Sequence, residues 1–120
     1  MKKSNISDRV VEFVLNCSNE DFQSLTISKM ARQFNVNRCY LSRKFKKDKE
    51  FTICEFVVRE KLFRSIEILK EDPQVTIKEI SEKLGFANSN YFCRIFKRHF
   101  GTTPGRYREC VSRKLSGDDT

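Results

Sequence analysis

Two similar stretches of sequence decide the fold of this chain. The first reads TISKMARQFNVNRCYLSRKFK over residues 26–46, and the second reads TIKEISEKLGFANSNYFCRIFK over residues 76–97. They are offset by 50 residues before a central turn and by 51 after it, so the second turn holds one more residue. We call them copy one and copy two, and each predicts two short helices joined by a tight turn.

The helix ends within the copies are predicted from capping residues. Thr76 with Glu79 three residues later is a capping box, and Thr26 offers the same N-cap without the glutamate. Gly85 suits the left-handed conformation after a helix, and Asn88 can cap the next one; Asn35 and Asn37 take these places in copy one. Apolar residues at the spacing that packs one helix across another are Phe34, Val36, Leu41 and Phe45, and Leu84, Phe86, Phe92 and Phe96.

The segments outside the copies also read as helices. Thr52 and Glu55 form a second capping box, which opens a helix of about 20 residues that Asp72-Pro73 ends. An opening helix over about 7–17 and a closing helix from Thr103-Pro104 complete seven helices without a strand pattern. We therefore predict an all-α protein with two helix-turn-helix subdomains, residues 1–51 and 73–120 (with a C-terminal tail), joined by a linker helix, 52–72. Its apolar stripe is Ile53, Phe56, Val57, Leu62, Phe63, Ile66 and Leu69.

Positive charge is concentrated in the two copies. The chain has 24 Lys+Arg against 16 Asp+Glu, a net charge of +8. No acid lies between Asp21 and Asp48 or between Glu82 and Glu109, and these windows carry +7 and +6. Since every carboxylate on a binding face weakens the attraction to phosphates, acid-free faces favour a polyanion such as nucleic acid.

The second helix of each copy presents one polar face once its core residues are assigned. Arginine can bridge guanine, asparagine can bridge adenine, and small Ser or Cys lets a helix lie close in a major groove. The predicted base-contacting residues are Arg38, Cys39, Ser42 and Arg43, and Ser89, Asn90, Cys93 and Arg94. The predicted phosphate-contacting residues are Lys46, Lys47, Lys97 and Arg98.

Other classes of function have little support. With one histidine, His99, and no Gly-rich phosphate loop, no catalytic set is visible, so no enzymatic activity is predicted. Five cysteines without a Cys-x-x-Cys pair predict no metal site or other cofactor, and favour reduced thiols in the cytoplasm; Cys17, Cys54 and Cys110 would be small apolar fillers. No signal peptide or membrane span is expected. An RNA-binding module is disfavoured because Tyr40, Tyr91 and Phe92 lie at or beside core positions.

Residues 85–104, GFANSNYFCRIFKRHFGTTP, followed by Tyr107-Arg108, strongly resemble the signature of the AraC family of bacterial transcription regulators. Copy one is similar to the first helix-turn-helix of that family, and Leu62 to Leu69 to its connecting helix. The resemblance covers about residues 7–112. The chain departs from the pattern at Glu50, Lys61 and Ser65, where glycine, arginine and alanine are usual.

The resemblance implies a sequence-specific regulator that binds double-stranded DNA at an asymmetric operator, with two recognition helices in adjacent major grooves. Its base-contacting positions match the eight residues named above. It also implies RNA polymerase as a partner, a monomeric unit that dimerises only through a missing domain, and a place at the C-terminus of a longer signal-responsive regulator. Two alternatives stay open: a stand-alone regulator, or a helical protein-interaction module without DNA binding.

Overall fold

The computed structural model describes residues 5–115, with side chains described up to residue 111. These residues form eight α-helices and no strand. The helices are α1 (Ile6–Asn16), α2 (Asn19–Gln23), α3 (Ile27–Gln33), α4 (Arg38–Lys49), α5 (Ile53–Glu71), α6 (Ile77–Lys83), α7 (Ser89–Phe100) and α8 (Pro104–Leu115). The predicted all-α class is confirmed.

The predicted count of seven helices is corrected to eight by α2, a helix of 5 residues. Ser18 caps it by accepting a hydrogen bond from the backbone N–H of Asp21 at 3.1 Å, and its Phe22 is fully buried. Five residues make less than one and a half turns, so they contain no apolar repeat that would reveal a helix.

The turns within the two copies form as predicted. Asn35 and Gly85 follow α3 and α6 in the left-handed region, with φ of 57° and 77°. Thr26 and Thr76 cap α3 and α6, and Glu79 completes the capping box at Thr76 by accepting its backbone N–H at 3.0 Å. Because these bonds are local, the residue pattern alone specifies them.

The chain divides into two compact units, residues 1–61 and 62–120, and the boundary lies inside α5. The predicted division into 1–51, 52–72 and 73–120 stays a prediction, and the tail residues 116–120 lie outside the described part of the chain. The core of the first unit consists of Val10, Val14, Phe22, Met30, Ala31, Leu41, Phe45 and Ile53.

The second unit is built around aromatic rings that contact one another in tilted and edge-on arrangements. Phe92 lies 4.8 Å from Phe86 and 5.8 Å from Phe96, measured between ring centroids, and Phe96 also contacts Phe100 at 4.7 Å and Tyr107 at 6.0 Å. Aliphatic side chains buried in the same unit are Leu62, Leu69, Val75, Ile80 and Leu84. Close-packed aromatic contacts of this kind fix the orientation of α7.

The linker helix α5 begins at the predicted capping box, since Thr52 and Glu55 exchange hydrogen bonds of 2.8 and 3.0 Å. Its predicted apolar stripe needs one correction, because Phe63 is 47% exposed. Ile53, Leu62 and Leu69 are buried as predicted, and so is Ser65, whose hydroxyl donates to the carbonyl of Leu62 at 2.6 Å. Phe63 is one residue removed from Leu62, which rotates its side chain by about 100°.

Candidate nucleic-acid interface

The first candidate recognition helix is α4, which begins at Asn37. The side-chain oxygen of Asn37 accepts the backbone N–H groups of Cys39 and Tyr40 at 2.8 and 3.2 Å. Leu41 and Phe45 are fully buried, so they turn one face of α4 into the core. The opposite face is therefore free to meet a ligand.

The predicted site residues of α4 lie on or beside that open face. Arg38, Cys39, Arg43, Lys46 and Lys47 are exposed, while Ser42 is half-buried. The ammonium group of Lys46 donates to the carbonyl of Glu50 at 3.1 Å. Among the side chains that the structure describes, no carboxylate forms a salt bridge with Arg38, Arg43, Lys46 or Lys47. Lys46 and Lys47 interact with the carboxylates of Glu55 and Asp48 only at longer range.

The one acidic residue within α4, Asp48, is directed to α1. Asp48 accepts a hydrogen bond from the buried hydroxyl of Ser7 at 2.7 Å and pairs with Lys44 at 3.3 Å. Lys49 pairs with Asp8 at 2.6 Å. The hydrogen bond from Ser7, aided by Lys44, lowers the pKa of the Asp48 carboxyl. This polar network ties α4 to α1.

Tyr40 also lies on this surface, although it was not among the residues predicted to contact DNA. Tyr40 was predicted to lie at or beside a core position; it is 51% exposed and lies beside the fully buried Leu41. It lines a surface concavity of about 390 Å³, which we call the α4 concavity. The residues of the α4 concavity are Asn37, Cys39, Tyr40, Arg43, Lys44 and Lys47. A signal was present, because Tyr40 falls in one helical row with Lys44 and Lys47.

The second candidate recognition helix is α7, capped by Asn88, which accepts the backbone N–H of Tyr91 at 2.7 Å. Phe92 and Phe96 are fully buried and set its inward face. The helix ends at Gly101, whose φ is 82° and whose N–H donates to the carbonyl of Lys97 at 2.7 Å. As in α4, a short buried row leaves a broad polar face exposed.

The predicted site residues of α7 are similarly placed. Asn90, Arg94, Lys97 and Arg98 are exposed, and Ser89 and Cys93 are half-buried. Burial raises the pKa of the Cys93 thiol. In residues 83–108 no carboxylate is present to offset this charge.

The described residues contain no group of three His, Cys, Asp or Glu side chains able to hold a metal ion. None of the five cysteines is in a disulfide. Cys54 and Cys110 are exposed, so their assignment as apolar fillers was wrong, whereas Cys17 is half-buried. Within residues 5–115, no helix combines the length and apolar content required to span a membrane.

Comparison with known proteins gives consistent matches. A family model described as "Helix-turn-helix domain" matches residues 30–109. The Msm operon regulatory protein of Streptococcus mutans is 35% identical over 86 residues, which are 72% of this chain and 31% of that protein. The regulator YtdP of Bacillus subtilis is 36% identical over 106 residues, which are 88% of this chain and 13% of that protein. The probable transcription factor PqrA of Proteus vulgaris is 33% identical, covering 72% of this chain and 70% of that protein.

Solved structures show the same fold. The C-terminal domain of AraT, a response regulator from Geobacillus stearothermophilus, is 25% identical with a TM-score of 0.77, covering 92% of this chain and 88% of that domain. The DNA-binding domain of AdpA, solved with a target DNA, is 16% identical with a TM-score of 0.75, covering 98% of this chain and 100% of that one. At that identity the second likeness concerns the fold alone.

Proposed function

The chain belongs to the AraC family of helix-turn-helix transcription regulators, and we propose that it reads one asymmetric duplex site with α4 and α7. As a member of this family it is a DNA-binding regulator. The observation that carries the finer proposal is the pair of acid-free faces, each on a helix whose opposite side is buried. Such faces suit helices that enter a major groove.

We assign base contacts and phosphate contacts to different parts of each face. Residues in the first half of each helix reach base edges: Arg38, Cys39, Ser42 and Arg43 from α4, and Ser89, Asn90, Cys93 and Arg94 from α7. Cations one turn later meet phosphates: Lys46, Lys47, Lys97 and Arg98. Phosphate contacts fix the position of each helix, and base contacts supply the sequence preference.

The asymmetry of the site follows from the difference between the two faces. The α4 face offers Arg38 and Arg43, which favour guanines, whereas the α7 face offers Asn90, which favours adenine, and Arg94. One chain thus reads two unlike half-sites, so a monomer suffices and a palindrome is not required.

The chain spans about a third or less of the first two relatives, 31% of the Msm operon protein and 13% of YtdP. We propose that it acts as the C-terminal effector domain of a longer, signal-responsive cytoplasmic regulator that contacts RNA polymerase and has no catalytic activity. The alternative is a stand-alone regulator, a proposal that the 70% coverage of PqrA supports. Any dimerisation would use a domain beyond this chain.

A salt series tests the proposal. Fluorescence anisotropy with a labelled duplex is expected to show affinity falling steeply as salt rises, because bound cations release counterions from several phosphates. Lys46→Ala or Lys97→Ala would weaken all sequences alike and reduce the slope of log K against log salt by about one unit. Lys70→Ala, an exposed lysine on α5, is the matched control and keeps the slope.

A protein-interaction module without DNA binding gives a different outcome. It would show a flat response to salt, or the same weak association with duplex DNA and with a neutral polymer. Either result contradicts the proposed function.

A further inference from the structure

We propose that Tyr40 is a further specificity-determining residue of α4, whose ring contacts the 5-methyl group of a thymine in the half-site read by α4. The proposal rests on the proposed DNA binding and goes beyond the base-contacting residues assigned above. Three observations carry it: the exposure of the ring, its neighbours in the α4 concavity, and the contrast with the equivalent tyrosine of copy two.

The ring of Tyr40 lies exposed among residues assigned to DNA contact. It is 51% exposed and shares the α4 concavity with Cys39, Arg43 and Lys47. Helical spacing puts Tyr40 in the row of Lys44 and Lys47, directly beside the row of Cys39 and Arg43. A ligand that engages Arg43 and Lys47 together therefore passes over the ring.

The equivalent residue of copy two, Tyr91, is covered. Tyr91 is half-buried and its ring contacts Phe86, with 6.2 Å between centroids. The residue at the place of Phe86 in copy one is Val36, which is smaller and has no ring. Among the described residues, Tyr40 has no aromatic contact of this kind. The comparison of Tyr40 with Tyr91 therefore indicates that the helix-turn-helix fold does not require an exposed ring at this position.

The chemistry of the surroundings selects the partner of the ring. The α4 concavity is lined by three cations, Arg43, Lys44 and Lys47, and, within the described part of the chain, by no carboxylate. Asp48, which pairs with Lys44, is not among its lining residues. When phosphates bind these cations, water is displaced from the Tyr40 ring. The binding free energy then gains most if the ring meets an apolar group of the DNA. In the major groove that group is the 5-methyl of thymine, which guanine, cytosine and adenine lack.

The test removes that methyl group alone. A site is first selected from random duplexes with the wild-type chain, and the half-site of α4 is identified as the one relaxed by Arg43→Ala. Each thymine of this half-site is then replaced by deoxyuridine. At one position the wild type is expected to lose about fourfold in affinity, which corresponds to burial of one methyl group.

Variants locate the effect on the ring. Tyr40→Ala is expected to bind the thymine and uracil duplexes equally, whereas Tyr40→Phe keeps the fourfold difference because the hydroxyl is not involved. Phe63→Ala removes another half-exposed ring, outside both copies, and is the matched control that keeps the difference. Circular dichroism and thermal melting verify that each variant is folded.

Three results would overturn the proposal. The selected α4 half-site could contain no thymine, or Tyr40→Ala could keep the full affinity difference between thymine and uracil duplexes. The third result is an equal loss of affinity for the thymine duplex in Tyr40→Phe and Tyr40→Ala. The third result would assign Tyr40 to a phosphate through its hydroxyl. Failure of the wild type to select any duplex would instead contradict the proposed function itself.

Discussion

Copy one ends its helices on residues with side chains where copy two uses glycine. After the first helix, Asn35 has φ of 57° and Gly85 has φ of 77°. After the candidate recognition helices α4 and α7, Glu50 has φ of 69° and Gly101 has φ of 82°. The fold imposes the left-handed conformation at both places, and copy one accepts its steric cost. The backbone of the motif is thus set by packing and capping more than by the residue at the turn.

The two candidate recognition helices, α4 and α7, are also held differently. Near the end of α4, Asp48 accepts a hydrogen bond from Ser7 of α1. At the matching position of α7 stands His99, whose ring packs edge-on against Phe63 and Phe100 at 6.0 and 4.8 Å. Because α4 is held through a carboxylate and α7 through ring contacts, we expect acid to weaken the attachment of α4 more than that of α7.

The largest expected effect is on the core residues that the copies share. Phe45→Ala and Phe96→Ala remove fully buried rings at equivalent positions, and each is expected to lower the free energy of unfolding by about 3–5 kcal/mol. Urea denaturation measures the change, with the half-exposed Phe63→Ala as a control that costs less. If only one of the two variants loses much stability, the rings of Phe45 and Phe96 do not have the same role in the two cores.

The next effect concerns the left-handed residues. Glu50→Gly is expected to raise the free energy of unfolding by about 1 kcal/mol, because glycine relieves the backbone strain. Gly101→Ala is expected to lower it by about 1–2 kcal/mol through strain alone, since an added Cβ meets no atom within 4 Å. Thermal melting checks both variants. An unchanged melting temperature in both variants would mean that the left-handed φ values at Glu50 and Gly101 have no energetic cost.

The two cysteines of the predicted faces should react at different rates. Cys39 is exposed, whereas Cys93 is half-buried with a raised pKa, so fewer Cys93 thiols are ionised. We expect iodoacetamide to modify Cys39 several-fold faster near pH 8, measured by mass spectrometry of peptides. Bulky modification at either site is predicted to reduce DNA affinity. Equal rates would contradict the burial of Cys93, and unchanged affinity after complete reaction would contradict its place on the DNA face.

The smallest effect is a pH dependence of the attachment of α4. Because its folded pKa lies below the ordinary value of 3.8, Asp48 stabilises the fold above that pH, and the contribution is lost as pH falls through the folded value. Asp48→Asn is expected to flatten the stability profile below about pH 4. Melting temperatures across pH 2–5 measure it, and an identical slope in Asp48→Asn would exclude the linkage.

Local patterns predicted most of this fold, and tertiary contacts account for the corrections. Thr76, Asn37 and Asn88 form their caps as expected, because an N-cap depends on neighbouring residues alone. The helical row of Tyr40, Lys44 and Lys47 indicates that its ring is exposed, whereas the contact of the equivalent Tyr91 with Phe86 is a tertiary contact that helical spacing does not show. The orientation of Phe63 depends on which row of α5 is buried.

Family membership could also be inferred from sequence, because residues 85–104 contain turn, cap and core residues at fixed spacing. The base and phosphate contacts stay predictions. Which bases Arg43 and Arg94 meet depends on a second molecule and its shape, and no pattern within the chain specifies it.

Selection of duplexes from a random pool shows whether the two unlike helices each read their own half of one site. Wild type, Arg43→Ala and Arg94→Ala are compared. We expect an asymmetric site in which each variant relaxes different base pairs, each by about 1–3 kcal/mol. Relaxation of the same base pairs by both variants, or a palindrome bound by two chains, would contradict this expectation.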